Sequence, residues 1–289
     1  MSAAEDMVES PCCEAVVKES TRMTPSSGDE VRSIVLKVKQ PMFRFEEGQS
    51  IGVMVPGPHE FGNKYHTRRY TIADSRIGGR GECVELTILV RRCFYIDEVN
   101  GEEYPGIASN FLCDVVPGDR MLLSGPYRGA FDIPADNTAN ILMIGTGTGT
   151  GIAPFRAFVK QIYNDRGDWQ GKVRLFYGAR NGMETLYLND KNDDMTNYYD
   201  EATFKAFDVV TSKLMSDDGQ SLERTMEGNI DEAWELMNAH NTHVFLAGLK
   251  KTASATDKVM SKKAGSEAAW AELKQKLVSQ GRWSELLYS

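Results

Sequence analysis

Apolar and polar residues alternate through the first half of the chain. In "VELTILVRR" the side chains of Val84, Leu86, Ile88 and Val90 fall on one face, the period-two mark of a half-buried strand. "VRSIVLKV", "SIGVMV" and "RMLLSG" read the same way. Between them lie the turn signals "EEGQ", "VPGP", "IGGRGE", "VNGEEYPG" and "VPGD". Many short strands joined by Gly- and Pro-containing turns predict an antiparallel barrel or sandwich.

The pattern changes at "DIPADNTAN", residues 132–140, a polar stretch that reads as a linker. Beyond it continuous apolar strands alternate with helical patterns: "NILMIG", "APFRAFVKQIYND", "VRLFYGAR", "FDVVTS", "IDEAWELMNAH", "THVFLAGL" and "SEAAWAELKQKLVSQG". That order predicts a parallel sheet with helices on its faces. The expected organisation is a disordered lead over 1–27, a β-barrel domain over 28–137 and an α/β domain over 138–289.

Composition agrees with two soluble domains: 289 residues, 41% hydrophobic and 26% charged. No apolar stretch approaches the roughly 20 residues of a membrane span. The start, "MSAAEDMVES", is acidic and resembles neither a secretory signal nor an Arg-rich transit peptide, so cytoplasmic residence is expected. The net charge of −8 is concentrated: residues 1–20 hold five acids against Lys18, and 190–201 hold five against Lys191. The remainder is balanced, and nucleic acid is not an expected partner. Cys12, Cys13, Cys83, Cys93 and Cys113 form no C-x-x-C pair, which argues against an iron–sulfur cluster or a zinc site. Cys12 and Cys13 read as incidental thiols in the polar lead, and "HNTH" as a surface turn.

The run "ILMIGTGTGTGIAPFRAF", residues 141–158, admits two readings, a flexible turn or a phosphate site. Glycines let the backbone turn tightly and approach a ligand. Pro154 suits the first turn of a helix, whose free N–H groups and dipole favour an anion. The run is not a Walker A loop, because no G-K-[ST] follows, nor a strict G-x-G-x-x-G. Its place after the first strand of a parallel sheet is where such sheets bind ligands.

A second constellation lies in the first domain. "RRYTIADS" sets Arg68 beside Tyr70 and Thr71: a guanidinium can neutralise a diphosphate, a phenol ring offers a flat face to a flavin, and a hydroxyl can meet a ring nitrogen. Some 35 residues on, Gly106–Ser109 in "YPGIASNFLCDVVPGD" can present backbone N–H groups to the same diphosphate.

Together with "FEEGQSIGVMVPG", "GPYRGAFDIP", "FYGARN", "FLAGLK" and the terminal "WSELLYS", these segments resemble the plant-type ferredoxin–NADP+ reductase family from about residue 28 onward. The resemblance implies a six-stranded antiparallel FAD-binding barrel and a parallel-sheet NADP-binding domain, with the two cofactors meeting between them. It implies electron exchange between NADP(H) and ferredoxin or flavodoxin. A reductase component feeding a dedicated acceptor such as an oxygenase is the alternative, and a non-enzymatic nucleotide-binding module on the same fold is a third reading.

Carried over by position, the resemblance places Tyr70 on one face of the flavin and Thr71 near its N5. Arg68 with Gly106, Ile107, Ala108 and Ser109 would hold the FAD diphosphate. Val90 and Arg91 would flank the adenosine, and Tyr95 would stack on the adenine. Tyr288 would cover the other flavin face and move for the nicotinamide. In the second domain Gly147, Thr148, Gly149, Thr150, Gly151 and Pro154 would meet the NADP diphosphate, Gly248 and Leu249 would border the nicotinamide, and Ser212 and Lys213 would reach the adenosine 2′-phosphate.

Departures accompany the match. Ala247 stands where the family has Cys, and Leu286 where it has Glu, with Glu285 displaced by one. Those family positions help order the nicotinamide and relay protons. The Tyr expected after the Ser-Arg pair is missing, and Glu223 and Arg224 stand in that region; a carboxylate there would oppose a 2′-phosphate, whereas Lys213 and Arg224 would attract it. NADPH is the expected coenzyme. The Gly/Thr run carries one extra Gly-Thr pair, Gly145 and Thr146, which reads as a loop longer than the family's by two residues. The acidic insert 187–204 reads as a solvated loop.

Overall fold

A computed structural model describes residues 13–24, 26, 29–38, 48–59, 62–77, 84–96, 101–129, 131–146, 152–178, 203–208 and 218–288, excepting the side chains of 75–77, 164–165, 208, 218–219 and 288. The chain separates into two units, Met1–Gly129 and Ala130–Ser289.

In the first unit the order is β1 (Cys13–Arg22), β2 (Val31–Val38), β3 (Ser50–Pro56), β4 (Tyr65–Ile77), β5 (Val84–Arg91), a short ribbon β6 (Phe94–Ile96) and β7 (Glu103–Pro105), helix α1 (Ile107–Asp114) and β8 (Arg120–Tyr127). Six of these strands close an antiparallel barrel in the order β1-β2-β5-β4-β3-β8. The alternating face of β5 does what its pattern predicts: Val84, Leu86, Ile88 and Val90 are all buried. They meet Ile34 and Leu36 of β2, Ile51 and Val53 of β3, and Ile72 of β4 in one core, into which α1 sets Leu112 and Cys113. Burial pushes the Cys113 thiol up to about 11, so it stays a protonated core residue.

The expected disordered lead is corrected from residue 13 onward. Cys13, Ala15 and Val17 are buried in the barrel core, while Glu14 and Lys18 stand on the outer face. Glu14 pairs with Arg120 at 3.0 Å and Lys18 with Glu85 at 2.9 Å. The charges that made the segment look unstructured are the solvent side of a strand, and β1 closes the barrel by pairing with both β2 and β8. Cys13 is accordingly a core residue and not a thiol in a mobile tail; Cys12 lies outside the described residues.

The second unit runs β9 (Asn140–Thr146), α2 (Ala153–Lys160) continued by a π-helical turn over Gln161–Arg166, β10 (Val173–Gly178), β11 (Phe204–Asp208), α3 (Asp218–Gly228), α4 (Ile230–Asn238), β12 (Thr242–Leu249), α5 (Lys250–Ala264), α6 (Glu267–Ser279) and β13 (Trp283–Tyr288). The sheet order is β11-β10-β9-β12-β13, with every neighbouring pair parallel. The order therefore reverses between β9 and β12, the point at which open parallel sheets form a ligand crevice. The stretch 132–140 is tied into this unit rather than hanging free: Arg166 donates to the Pro134 carbonyl at 2.7 Å and Asn137 to Asp168 at 2.8 Å. Residues 187–202 of the acidic insert lie outside the described residues, while Phe204 is buried at the start of β11. Among the described residues no helix is long and apolar enough to cross a membrane.

Gly145 and Thr146 belong to β9, which corrects their reading as extra loop. Gly145 lies opposite Tyr177 of β10 and Ala247 of β12, and Thr146 opposite Gly178. A Cβ on Gly145 would come within 2.6 Å of the Phe155 ring and 3.0 Å of Tyr177, so the glycine is required by packing within the sheet. Gly145→Ala is expected to lower the unfolding free energy by ~1–3 kcal/mol through overpacking, read as a lower urea midpoint; an unchanged midpoint would show that the rings give way freely.

Candidate functional site

The first unit gathers its predicted residues along β4, β5, β6 and the start of α1. Alternation on β4 separates its two arginines. Tyr70 and Ile72 face the barrel core, and Arg68 shares their parity, whereas Arg69 turns the other way and lies over the Tyr127 ring at 3.9 Å. Arg68 is exposed and makes no hydrogen bond or salt bridge among the described residues. The Tyr70 ring is half-buried, and burial holds its phenol well above the usual tyrosine range, so it presents a neutral ring. Thr71 is half-exposed beside it.

Gly106 is the N-cap of α1 and its own N–H is spent on the Cys93 carbonyl at 2.9 Å. That leaves Ile107, Ala108 and Ser109 as the first-turn residues whose N–H groups have no partner within the helix. Three donors, not four, are thus presented at the positive end of the helix. The Ser109 hydroxyl accepts from Cys93 N at 3.1 Å and donates to Gly106 O at 3.2 Å, so it shapes the turn.

Sequence reasoning missed Arg92, the residue that fixes this turn. Its guanidinium donates to Glu30 at 2.8 Å, to the Asn110 side-chain carbonyl at 2.9 Å and to Asp114 at 2.6 Å. Asn110 in turn donates its amide to Cys93 O at 2.8 Å and Gly106 O at 2.9 Å. One side chain therefore joins the end of β5, the start of β2 and both ends of α1. Burial raises the pKa of Glu30, but hydrogen bonds from Arg92 and Arg32 outweigh it and hold the carboxyl below its usual range. The only hint in the sequence was the doubled arginine at 91–92.

Two predicted contacts take a different form. Val90 is fully buried in the barrel core, so its main chain alone is available to a ligand. Arg91 is drawn toward Asp29 at 3.7 Å. Tyr95 is 57% exposed and already stacked on Tyr104, with ring centroids 5.6 Å apart, and together with exposed Phe94 it offers an aromatic platform to a planar base. An uncommitted guanidinium, three helix-terminal N–H groups, a neutral core-packed phenol ring and an exposed aromatic shelf form a donor set that fits FAD.

In the second unit the carboxyl ends of three strands come into register. Leu249 lies opposite Tyr288, Gly248 opposite Leu287, and Ala247 between Leu286 and Gly145. Gly248 has φ +139°, and a Cβ there would meet Thr146 O at 2.6 Å, so glycine is obligatory. Pro154 is buried in the first turn of α2. Gly147, Thr148, Gly149, Thr150 and Gly151, and also Ser212 and Lys213, lie outside the described residues; the loop's flanks are the end of β9 and the start of α2.

The displaced glutamate cannot stand in for the family's. Trp283, Glu285 and Leu287 share one face of β13, where Trp283 and Leu287 pack toward the core that includes Val259 and Leu277. Glu285 accepts from the Trp283 indole N–H at 2.6 Å and pairs with Lys274 at 3.2 Å. Leu286 has the opposite parity and is the register partner of buried Ala247, so apolar residues occupy both departed positions side by side. Glu223, which sequence reasoning set against a 2′-phosphate, is paired with Lys258 at 2.5 Å, while Arg224 beside it is exposed.

Comparison with known proteins agrees with this geometry. The profile of an oxidoreductase NAD-binding domain matches residues 143–258. The chain is 33% identical over 256 residues to leaf isozyme 1 of the chloroplastic ferredoxin–NADP reductase of Arabidopsis thaliana, covering 84% of this chain and 68% of that protein. It is 30% identical over 280 residues to the ferredoxin–NADP reductase of Thermosynechococcus vestitus, covering 94% of this chain and 72% of the relative. Among solved structures, the ferredoxin–NADP+ reductase of Plasmodium falciparum superposes with a TM-score of 0.69 at 21% identity, over 98% of each chain, which bears on the fold.

Arg92→Ala is expected to weaken FAD retention about tenfold, the scale of one lost charge-assisted hydrogen bond, with Arg92→Lys in between; equilibrium dialysis checks it. Because the folded pKa of Glu30 is lowered, its contribution to stability is present above its unfolded value of about 4.5 and is lost as pH falls through the folded value. The fall in melting temperature below that pH should therefore be shallower in Arg92→Ala than in the parent.

Proposed function

The chain belongs to the ferredoxin–NADP+ reductase family, and from that premise we propose that it exchanges electrons between NADP(H) and a one-electron carrier of the ferredoxin class, with FAD as its resident cofactor. The observation that carries this reading is the donor set of the first unit: exposed Arg68 on the face of Tyr70, with the free first-turn N–H groups of Ile107–Ser109 braced by Arg92. The relatives do not favour the alternative of an oxygenase reductase component. Flavodoxin is a second acceptor of the same kind. A cytoplasmic setting is part of this reading, and fractionation of the native cell would test it.

When bound, FAD supplies the ability to take two electrons from NADPH together and pass them on singly. The chain's own residues bind, orient and shield. Arg68 and the α1 donors oppose the charge of the FAD diphosphate. Tyr70 gives one face of the ring system an apolar, uncharged neighbour, and Thr71 offers its hydroxyl at the ring edge. Tyr95, with Val90 and Arg91 beside it, receives the adenosine. On the second unit Gly147–Gly151 and Pro154 take the coenzyme diphosphate, Gly248 and Leu249 border the nicotinamide, and Tyr288, opposite Leu249 in register, is the residue that yields to it.

Neither Ala247 nor Leu286 can exchange a proton, so hydride alignment here rests on shape and on exclusion of water. Ser212 and Lys213 would reach the 2′-phosphate, joined by exposed Arg224; the Glu223 carboxylate is neutralised by Lys258 and does not oppose it.

The test is steady-state reduction of a plant-type ferredoxin by the FAD-loaded protein with NADPH and with NADH. NADPH should be preferred, and Lys213→Ala should raise the KM for NADPH about tenfold, one lost charge contact, leaving NADH unaffected. Equal use of both coenzymes by the parent would refute the coenzyme assignment. Inertness toward every ferredoxin and flavodoxin tried would refute the acceptor.

A further inference from the structure

Two buried threonines bridge the point where the strand order of the second unit reverses. Thr146 is the last residue of β9 and Thr252 lies in the first turn of α5; both are fully buried, and their hydroxyls are hydrogen-bonded to one another. The first directly precedes the Gly147–Gly151 loop. The second follows Leu249 by three residues.

The backbone ladder does not supply this connection. Pairing between β9 and β12 reaches Gly145 opposite Ala247 and goes no further. Past that rung the two strand ends are coupled through the threonine hydroxyls, packed around Gly248. A Cβ on Gly248 would lie 2.6 Å from the Thr252 hydroxyl oxygen and 2.8 Å from that of Thr146, so the bond closes over the glycine's α-carbon. Thr256, also fully buried, donates to the Thr252 carbonyl at 2.8 Å, which anchors the first turn of α5 from below. A hydroxyl pair sealed from water holds its partners together, because separating them leaves both polar atoms without replacement.

We propose that Thr146 and Thr252 are positioning residues for the dinucleotide: their bond ties the carboxyl end of β9 to the Gly248–Leu249 turn that borders the nicotinamide. The proposal rests on the coenzyme assignment above. A ligand that spans both segments feels that tie. A fragment carrying only the adenosine and its 2′-phosphate does not.

The experiment uses the FAD-loaded full chain and isothermal titration with NADP+ and, separately, with 2′-phospho-AMP. Thr252→Val keeps the side-chain shape and removes the hydroxyl; Thr252→Ser keeps the hydroxyl. Thr252→Val is expected to weaken NADP+ about tenfold while 2′-phospho-AMP stays within about twofold of the parent, and Thr252→Ser is expected to restore NADP+ binding. Thr146→Val, which removes the other partner, should reproduce the split and serves in place of Thr252→Val if that variant does not fold. Unchanged NADP+ affinity in the valine variants, or an equal loss of both ligands, would overturn the latch while leaving the coenzyme assignment intact. A parent protein that binds neither ligand would overturn the assignment and the latch with it.

Discussion

The register of β12 against its two neighbours is the constraint on which the chemistry of the second unit depends. Side chains alternate along a strand with a period of two, so a shift of one position moves a residue to the opposite face of the sheet. With Leu249 opposite Tyr288 and Ala247 opposite both Leu286 and Gly145, the residues proposed to border the nicotinamide are set by backbone hydrogen bonds. The same period explains why Glu285 is no substitute one place along. It is turned toward Lys274 and Trp283, and no rotamer change can bring it through the sheet.

The first unit reaches a comparable precision by other means. A barrel fixes β4 and β5, but α1 is short, and backbone pairing holds its start only through the β6–β7 ribbon and the Gly106–Cys93 bond. Arg92 supplies the missing constraint with bonds to Glu30, Asn110 and Asp114. Half-buried, multiply bonded ion pairs of this kind exceed the small worth of the exposed Lys–Glu pairs between α3 and α5. In both units, then, side chains outside the proposed binding sets supply the bracing: Arg92 around α1, and the Thr146–Thr252 pair at the end of β9.

Much of this architecture was legible in the chain because burial follows a period. β2, β3, β5 and β8 show their alternation openly, and the continuous apolar runs of β9, β10 and β12 announce a sheet covered on both faces. β1 was not legible: its outer face carries Glu14, Lys18 and Glu19, and its neighbourhood is acidic, so composition masked the alternation of Cys13, Ala15 and Val17. α5 escaped for the converse reason. Its buried face is Thr252, Ala255, Thr256, Val259 and Met260, helically spaced but led by small and polar residues, so no apolar stripe appears. Gly145 and Thr146 looked like more of the loop they precede, because a Gly-Thr repeat has no local signal for where the strand stops. The sheet decides that, through Tyr177 and Gly178 on one side and Ala247 on the other.

Residues that act through partners distant in sequence are the hardest to read, and the coenzyme question shows why. Glu223 read alone is a negative charge near a 2′-phosphate. In the fold it belongs to α3, which packs along α5, and Lys258 neutralises it across that contact as Lys262 does Glu227 one helical turn on. Arg224, next to it on the helix, is exposed. A guanidinium beside a neutralised carboxylate attracts a phosphate dianion, whereas the same two residues without Lys258 would nearly cancel. The sign of the local field is therefore set by a lysine on another helix, and on the coenzyme site proposed above it favours the phosphorylated coenzyme.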